Sequence, residues 1–225
     1  MGEHNHSSFI DLGLIEYQEA WDYQEQLFIE NLDRKKKGES GKNYLIFCQH
    51  PHVYTLGKSG SENNLLAGNQ QLQEMGVSFI KTNRGGDITY HGPGQLVGYP
   101  ILDLENFGLG IKDYIHTLEA CIIDLLAIYN LRGERLDGAT GVWLDTQITG
   151  KARKICAIGV KASRHITMHG FALNVNTDLQ FFDRINPCGF TDKAVTSLEN
   201  ELGLIMDFDE VSQKTKEILL RAFHS

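Results

Sequence analysis

Residues 84–100 read RGGDITYHGPGQLVGYP, and the chain continues as ILDL to residue 104. Two strand-like pieces, DITY and QLVGYPILDL, flank a glycine- and proline-rich turn with no helix between them. Residues 84–100 hold five glycines and two prolines. Gly85 and Gly86 allow positive φ and close approach of backbone to a ligand. The segment therefore reads either as a hairpin with a glycine-rich turn or as a ligand loop. It lacks the G-K-[ST] ending of a P-loop and does not fit G-x-G-x-x-G.

Working outward, the same pattern holds. Upstream, NYLIFC reads as a buried strand, and a short helix near QQLQEM leads to a strand at VSFIK. Residues 15–37 form an amphipathic helix, with Tyr17, Ala20, Trp21, Leu27 and Phe28 at helical spacing and Gly38 as its stop. Downstream, Ile111, Tyr114, Ile115, Leu118, Ile122, Leu125 and Tyr129 line one face of a helix over 111–129. After Gly133 come GVWLD, KICAIGV and HITMHGFALNVN, all strand-like. A last amphipathic helix uses Phe208, Val211, Ile218, Leu219 and Ala222, with Asp207 as its N-cap. Strands and helices do not alternate as regular βαβ units, which argues against a doubly wound sheet. The expectation is one α+β domain over residues 1–225, with mixed, largely antiparallel sheets flanked by helices.

The chain has 225 residues and a net charge of -8. That balance argues against nucleic acid as a partner. No window holds the ~18 apolar residues of a membrane span, and MGEHNHSS lacks the regions of a signal peptide. A cytoplasmic monomer is expected. Cys48, Cys121, Cys156 and Cys188 are scattered without C-x-x-C, which suggests neither a zinc site nor a thioredoxin-like site, and free thiols are expected. His4 and His6 read as part of a loose end rather than a metal site. Two basic runs stand out. DRKKKG, residues 33–38, reads as a solvated helix end. KARKICAIGVKASR, residues 151–164, carries five cations and no acid, and reads either as a solvated face or as a dock for an acidic partner.

Three features carry chemistry. In RINPCGF, residues 184–190, Cys188 sits in turn-forming sequence without apolar periodicity, unlike a core cysteine. In the strand-like ARKICAIGV, strict alternation puts Lys154 on one face with Cys156, Ile158 and Val160. Such a lysine either has a depressed pKa or snorkels to water. A lysine beside a cysteine makes a workable nucleophile, since the cation favours the thiolate. Finally, Gly159, Gly170 and Ala172, the last two on a strand face with Asn174, leave a thin slot that suits a linear acyl chain; tight strand packing would give the same sequence. His91 is either an acid–base group or an ordinary hydrogen-bonded histidine.

These segments occur together and in order: RGGDITYHGPGQLVGYP, the lysine of KICAIGVK, HGFALNVN and INPCGF. In this the chain resembles the lipoyl(octanoyl) transferases over about residues 44–198. The resemblance implies the fold of biotin and lipoate protein ligases. It implies an acyltransferase that moves an octanoyl group from acyl carrier protein to a lysine of lipoyl domains. The implied acceptors are 2-oxoacid dehydrogenase E2 subunits and the glycine cleavage H protein. By resemblance Cys188 is the nucleophile and Lys154 lowers its pKa. Arg84, Gly85, Gly86, Asp87, Ile88, Thr89, Tyr90 and His91 line the acyl pocket, with Ala157, Ile158, Gly159, Gly170, Phe171 and Ala172. No metal and no cofactor is implied, the substrate being carried on phosphopantetheine. DTQITGKAR is longer than the family pattern and reads as an extended hairpin. The rival readings are an ATP-dependent lipoate or biotin ligase and a non-catalytic module that binds lipoyl domains.

Overall fold

The computed structural model describes residues 7–186 and 194–224. Its elements, in chain order, are β1 (Ser7–Leu14), α1 (Tyr17–Lys36), β2 (Asn43–Gln49), β3 (Val53–Leu56), α2 (Asn69–Glu74), β4 (Ser78–Lys81), β5 (Ile88–His91) and β6 (Gln95–Ile101). Then follow α3 (Ile111–Ile128), β7 (Glu134–Leu136), β8 (Ala139–Leu144), β9 (Arg153–Ser163), β10 (Ile166–Asn174), β11 (Ala194–Val195), α4 (Leu198–Leu202) and α5 (Phe208–Ala222).

The strands form two sheets. The larger runs β1-β2-β6-β10-β9-β8-β7, with β11 beside β9; the smaller runs β4-β3-β5. Among these pairs only β1–β2, β9–β11 and β3–β4 are parallel. The architecture is thus α+β with largely antiparallel sheets.

The larger sheet is buried on both faces, and alternation along β2 shows how. Leu45 and Phe47 join α3 and α5 in one core, where Leu118, Ile122, Leu125, Val211 and Leu219 are fully buried. Ile46 and Cys48 face the other way, onto Ala20, Leu27 and Phe28 of α1. Each fully buried side chain of that size contributes about 1.5–3 kcal/mol. A third cluster packs under the smaller sheet around Tyr54 and Tyr90. The helix α5 is capped as its sequence predicts: Glu210 N donates to the Asp207 carboxylate at 3.1 Å.

The opening segment does not form a hairpin. β5 pairs with β3 in the smaller sheet, and β6 pairs with β2 and β10 in the larger. The turn at Gly92-Pro93-Gly94 therefore carries the chain from one sheet to the other. Gly94 has φ +77, and a Cβ there would meet the Asn176 carbonyl oxygen at 2.4 Å. Glycine is required both by the backbone angle and by this close approach.

The run 33–38 is the exposed end of α1 as read, with Lys35 the exception. Lys35, in the run 33–38, donates to Asp103 at 2.6 Å and to Glu105 at 2.7 Å. It ties the end of α1 to the turn after β6 rather than lying in solvent. The cations of 151–164 do not form one patch. Arg153 is taken by Glu201 (2.6 Å) and Asp145 (2.5 Å). Lys161 lies over the Phe28 ring, 4.7 Å from its centroid, and about 23 Å along the extended strand from Lys154. The segment before Lys154 does link β8 to β9 as an antiparallel hairpin. Among the described residues no helix is long and apolar enough to cross a membrane.

β9 and β10 meet through two residues, Arg164 (φ 49) and His165 (φ 65), since Ser163 pairs with Ile166. Both are left-handed, as a tight hairpin turn demands, yet neither is Gly or Asn. Replacing them together with Asn and Gly should raise stability by about 1–2 kcal/mol. The exposed His165–Glu105 contact at 3.8 Å offsets little of this. Chemical denaturation should show a higher midpoint with an unchanged slope.

Candidate active site

A cavity of about 630 Å³ opens between the two sheets, a volume typical of small-molecule sites. β9 and β10 form one long wall. The loop before β5 and the strand itself form the opposite one, with Leu179, Phe182 and Asp183 from a 3-10 turn beside them. β8 and β11 border the cavity where Lys154 stands.

Lys154 reaches the cavity because β9 is irregular. Across β8, Val142 pairs with Cys156 but Trp143 pairs with Lys154, so Ile155 is an extra residue. This bulge breaks the alternation expected from sequence. Ile155 and Cys156 both enter the core, and Lys154 lines the cavity with Ala157 and Gly159. Lys154 therefore does not share a face with Cys156. On its other edge it pairs with Val195 of β11. Its ammonium lies 4.6 Å from the centroid of the Trp143 ring.

At the far end of this wall, about 16 Å from Lys154 along the strand, Gly159 opposes Gly170. A Cβ at Gly159 would stand 2.8 Å from the Gly85 oxygen and 3.3 Å from Arg84 Cδ. The loop is pinned there by Gly85 N donating to the Val160 oxygen at 2.9 Å. Arg84 closes this end. It is buried, and burial depresses its pKa. It donates to the Thr55 oxygen (2.7 Å), to Thr55 Oγ1 (2.8 Å) and to the Gly85 oxygen (3.0 Å).

From Arg84 a chain of hydrogen bonds runs back toward Lys154. Thr55 Oγ1 accepts from Arg84 and donates to His91 Nε2 at 3.2 Å, an acceptor because the neutral ring carries its one proton on Nδ1, facing the accept-only Gln95 Oε1. His91 Nδ1 then donates to Gln95 Oε1 at 2.8 Å. Gln95 Nε2 donates to Asn174 Oδ1 (2.9 Å), and Asn174 Nδ2 to the Thr196 oxygen (2.9 Å). Thr196 N donates to the Lys154 oxygen at 2.9 Å. This fixes one tautomer of His91. Burial, reinforced by His50 and Arg84, holds its pKa well below the usual histidine range. Burial likewise pushes His50 down to about 4 and His169 down to about 3. At neutral pH the three imidazoles are uncharged, and this end of the cavity has no ionised acid–base group among them.

Of the pocket residues expected from sequence, Arg84, Gly86, Asp87, Ile88, Thr89, His91, Ala157, Ile158, Gly159, Gly170, Phe171 and Ala172 line the cavity. Gly85 instead bonds the loop to β9. Tyr90 turns away into the aromatic stack of the smaller sheet, against Phe181 at 4.8 Å, its hydroxyl 2.7 Å from His52 Nδ1. Tyr17, Tyr99, Trp143 and His169 also line the cavity without having been singled out for it. Helical and strand periodicity marks Tyr17 only as a core residue. His169 reaches the wall through a left-handed backbone (φ 61), which sequence does not announce.

Cys188 lies outside the described residues. Asn186 and Ala194, on either side of residues 187–193, both line the cavity. Cys48, Cys121 and Cys156 are buried free thiols. Burial raises the pKa of each, that of Cys121 to about 12. They are held as inert thiols.

The comparisons with known proteins agree with one another. The family model of the lipoyl protein ligase A/B catalytic domain matches residues 16–220. An octanoyltransferase of Parabacteroides distasonis is 58% identical over 213 residues, covering 95% of this chain and 96% of its own. One from Bacteroides fragilis is 56% identical over 215 residues, covering 96% and 97%. Among solved structures, a bi-partite lipoate protein ligase of Thermoplasma acidophilum, described with its E2 lipoyl domain, superposes with a TM-score of 0.71 at 14% identity, covering 96% of this chain and 83% of its own. A lipoate-protein ligase A bound with ATP gives 0.70 at 15%, covering 96% and 85%. Those two likenesses concern the fold alone. With the family model spanning most of the sequence and close relatives matching nearly end to end, the chain belongs to the lipoyl protein ligase A/B catalytic domain family.

Proposed function

We propose that the protein is an octanoyltransferase that carries an octanoyl group from acyl carrier protein to the target lysine of lipoyl domains through a thioester on Cys188. The observation that carries this reading is the near full-length identity to octanoyltransferases. The cavity supports it, being lined by the small residues Ala157, Gly159, Gly170 and Ala172 and reaching a lysine.

In the proposed cycle the Cys188 thiolate faces the Lys154 ammonium. The thiolate attacks the thioester carbonyl of the octanoyl-carrier protein. As the tetrahedral adduct collapses, the bond to pantetheine sulfur breaks, and that sulfur takes a proton from Lys154. The neutral amine of a lipoyl-domain lysine then attacks the acyl-enzyme. The Cys188 sulfur leaves as thiolate, an amide forms, and Lys154 takes up the proton that the new amide nitrogen loses. Protons balance over the cycle, and exchange of a thioester for an amide needs no ATP. Three of the four cysteines are buried as thiols, which supports Cys188 as the nucleophile.

The test is intact mass after incubation with octanoyl-carrier protein and no nucleotide. One octanoyl adduct should appear and should be lost when a lipoyl domain is added. An unmodified enzyme beside an intact thioester would overturn the acyl-enzyme reading. The slot makes a further prediction. Ala157→Phe should cut kcat/KM for octanoyl transfer by about 10–100-fold, as overpacking costs of 1–3 kcal/mol imply. Butyryl transfer should be nearly unchanged. Competition between the two acyl thioesters measures the shift directly.

A further inference from the structure

We propose that Trp143 is a positioning residue for Lys154, holding its ammonium over the indole face at the cavity wall. The inference rests on the transferase reading, in which Lys154 is the group that moves protons.

Several observations converge on the pair. Trp143 and Lys154 are direct cross-strand partners only because of the bulge at Ile155. The ammonium is 4.6 Å from the ring centroid, within cation–π range. The ring cannot swing freely: Trp143 is buried, and its Nε1 donates to the Ala139 oxygen at 2.9 Å. Two residues earlier, Gly141 (φ 121) lets β8 close on the backbone of β9 beside Lys154. A Cβ there would lie 3.6 Å from Lys154 Cε and 2.5 Å from the Cys156 oxygen. Gly141 is itself fixed, its N–H donating to Glu119 Oε1 at 3.1 Å.

Two charged groups nearby are engaged elsewhere. Glu119 of α3 is taken by Arg135 (2.9 Å) and Gly141. Arg153 is taken by Glu201 and Asp145. Asp183 stands on the cavity lining. An aromatic face orients the cation and takes none of its three N–H donors. That suits a lysine that must both give and accept a proton.

The experiment follows alkylation of Cys188 by iodoacetamide from about pH 5 to about pH 10, where a thiol of ordinary pKa titrates. It uses the full chain, with Cys188→Ala as the blank for the buried thiols. Wild type is compared with Lys154→Met, Trp143→Leu and Trp143→Phe. The midpoint for Lys154→Met should move up. That for Trp143→Leu should move partway, by about half a unit or more, and Trp143→Phe should lie between it and wild type. In turnover, Trp143→Leu should lower kcat with little change in KM. If Trp143→Leu fails to fold, the Trp143→Phe midpoint decides. A wild-type midpoint in the Trp143 variants beside a shifted Lys154→Met overturns the proposal. An unshifted Lys154→Met overturns the role of Lys154 itself, and this proposal with it.

Discussion

A Cys188→Ala enzyme should take up no octanoyl group from octanoyl-carrier protein, and its transfer rate should fall on the order of 10⁴-fold or more, the scale of losing a nucleophile. The size of the effect follows from what remains. Cys48, Cys121 and Cys156 are buried free thiols. Burial raises each pKa, so none can supply a thiolate at neutral pH. Lys154 cannot stand in, since an amine that displaced pantetheine would form a stable amide and stop. A Cys188→Ser enzyme tests the point from the other side. Its hydroxyl has the right shape but a far higher pKa, so acylation should slow nearly as much. An ATP-dependent ligase on the same fold would respond differently, because an adenylate needs no cysteine. Undiminished ligation by Cys188→Ala in the presence of ATP would sink the transferase reading. Complete loss with and without ATP, in a variant that unfolds like wild type, would support it.

Periodicity made the helices and most inner strands legible, because their faces meet a core. The run Ile111 to Tyr129 places Tyr114, Leu118, Ile122 and Leu125 inward, and all four are fully buried. β1 carries no such signal: Phe9, Ile10, Leu12 and Leu14 spread apolar side chains over both faces, and Gly13 at φ +60 interrupts them. β3, only four residues long, offers too short a pattern to separate from a turn. What sequence could not give is register. Lys154 was readable as an odd residue in a strand, but the bulge beside it depends on how β8 meets β9. That pairing decides which side chains share its face. The cations of 151–164 show the same limit. Arg153 is neutralised by Glu201, 48 residues away, and only the folded chain brings the two together. The glycine-rich segment was readable as special. That it bridges two sheets depends on the partners each half finds, β3 on one side and β2 and β10 on the other.

Lys154→Ala should lower kcat/KM by about 10²–10⁴-fold, the range for loss of a positioned acid–base group, while the fold is retained. The side chain is half-buried rather than part of the core. Its strand is held through the backbone by Trp143 and Val195, so removing the side chain leaves the pairing in place. Alanine alone confounds two roles, because the ammonium both stabilises the thiolate and delivers the proton. Lys154→Arg separates them. Guanidinium keeps the charge but does not give up a proton at accessible pH. Cys188 in this variant should therefore stay more reactive to a thiol probe than in Lys154→Ala. The first half-reaction should slow, with pantetheine leaving as thiolate, and the second should stall more severely, since arginine does not accept the proton of the incoming amine. The octanoyl-enzyme should accumulate, visible as a persistent adduct in the intact mass with lipoyl domain present. Wild-type turnover in Lys154→Arg would mean that the lysine acts by charge alone. Equal loss of thiol reactivity in the Arg and Ala variants would mean instead that the planar guanidinium cannot occupy the place over Trp143. Partial rescue in a Trp143→Leu, Lys154→Arg double variant would then distinguish crowding from chemistry. The two substitutions should couple rather than add, because the residues touch.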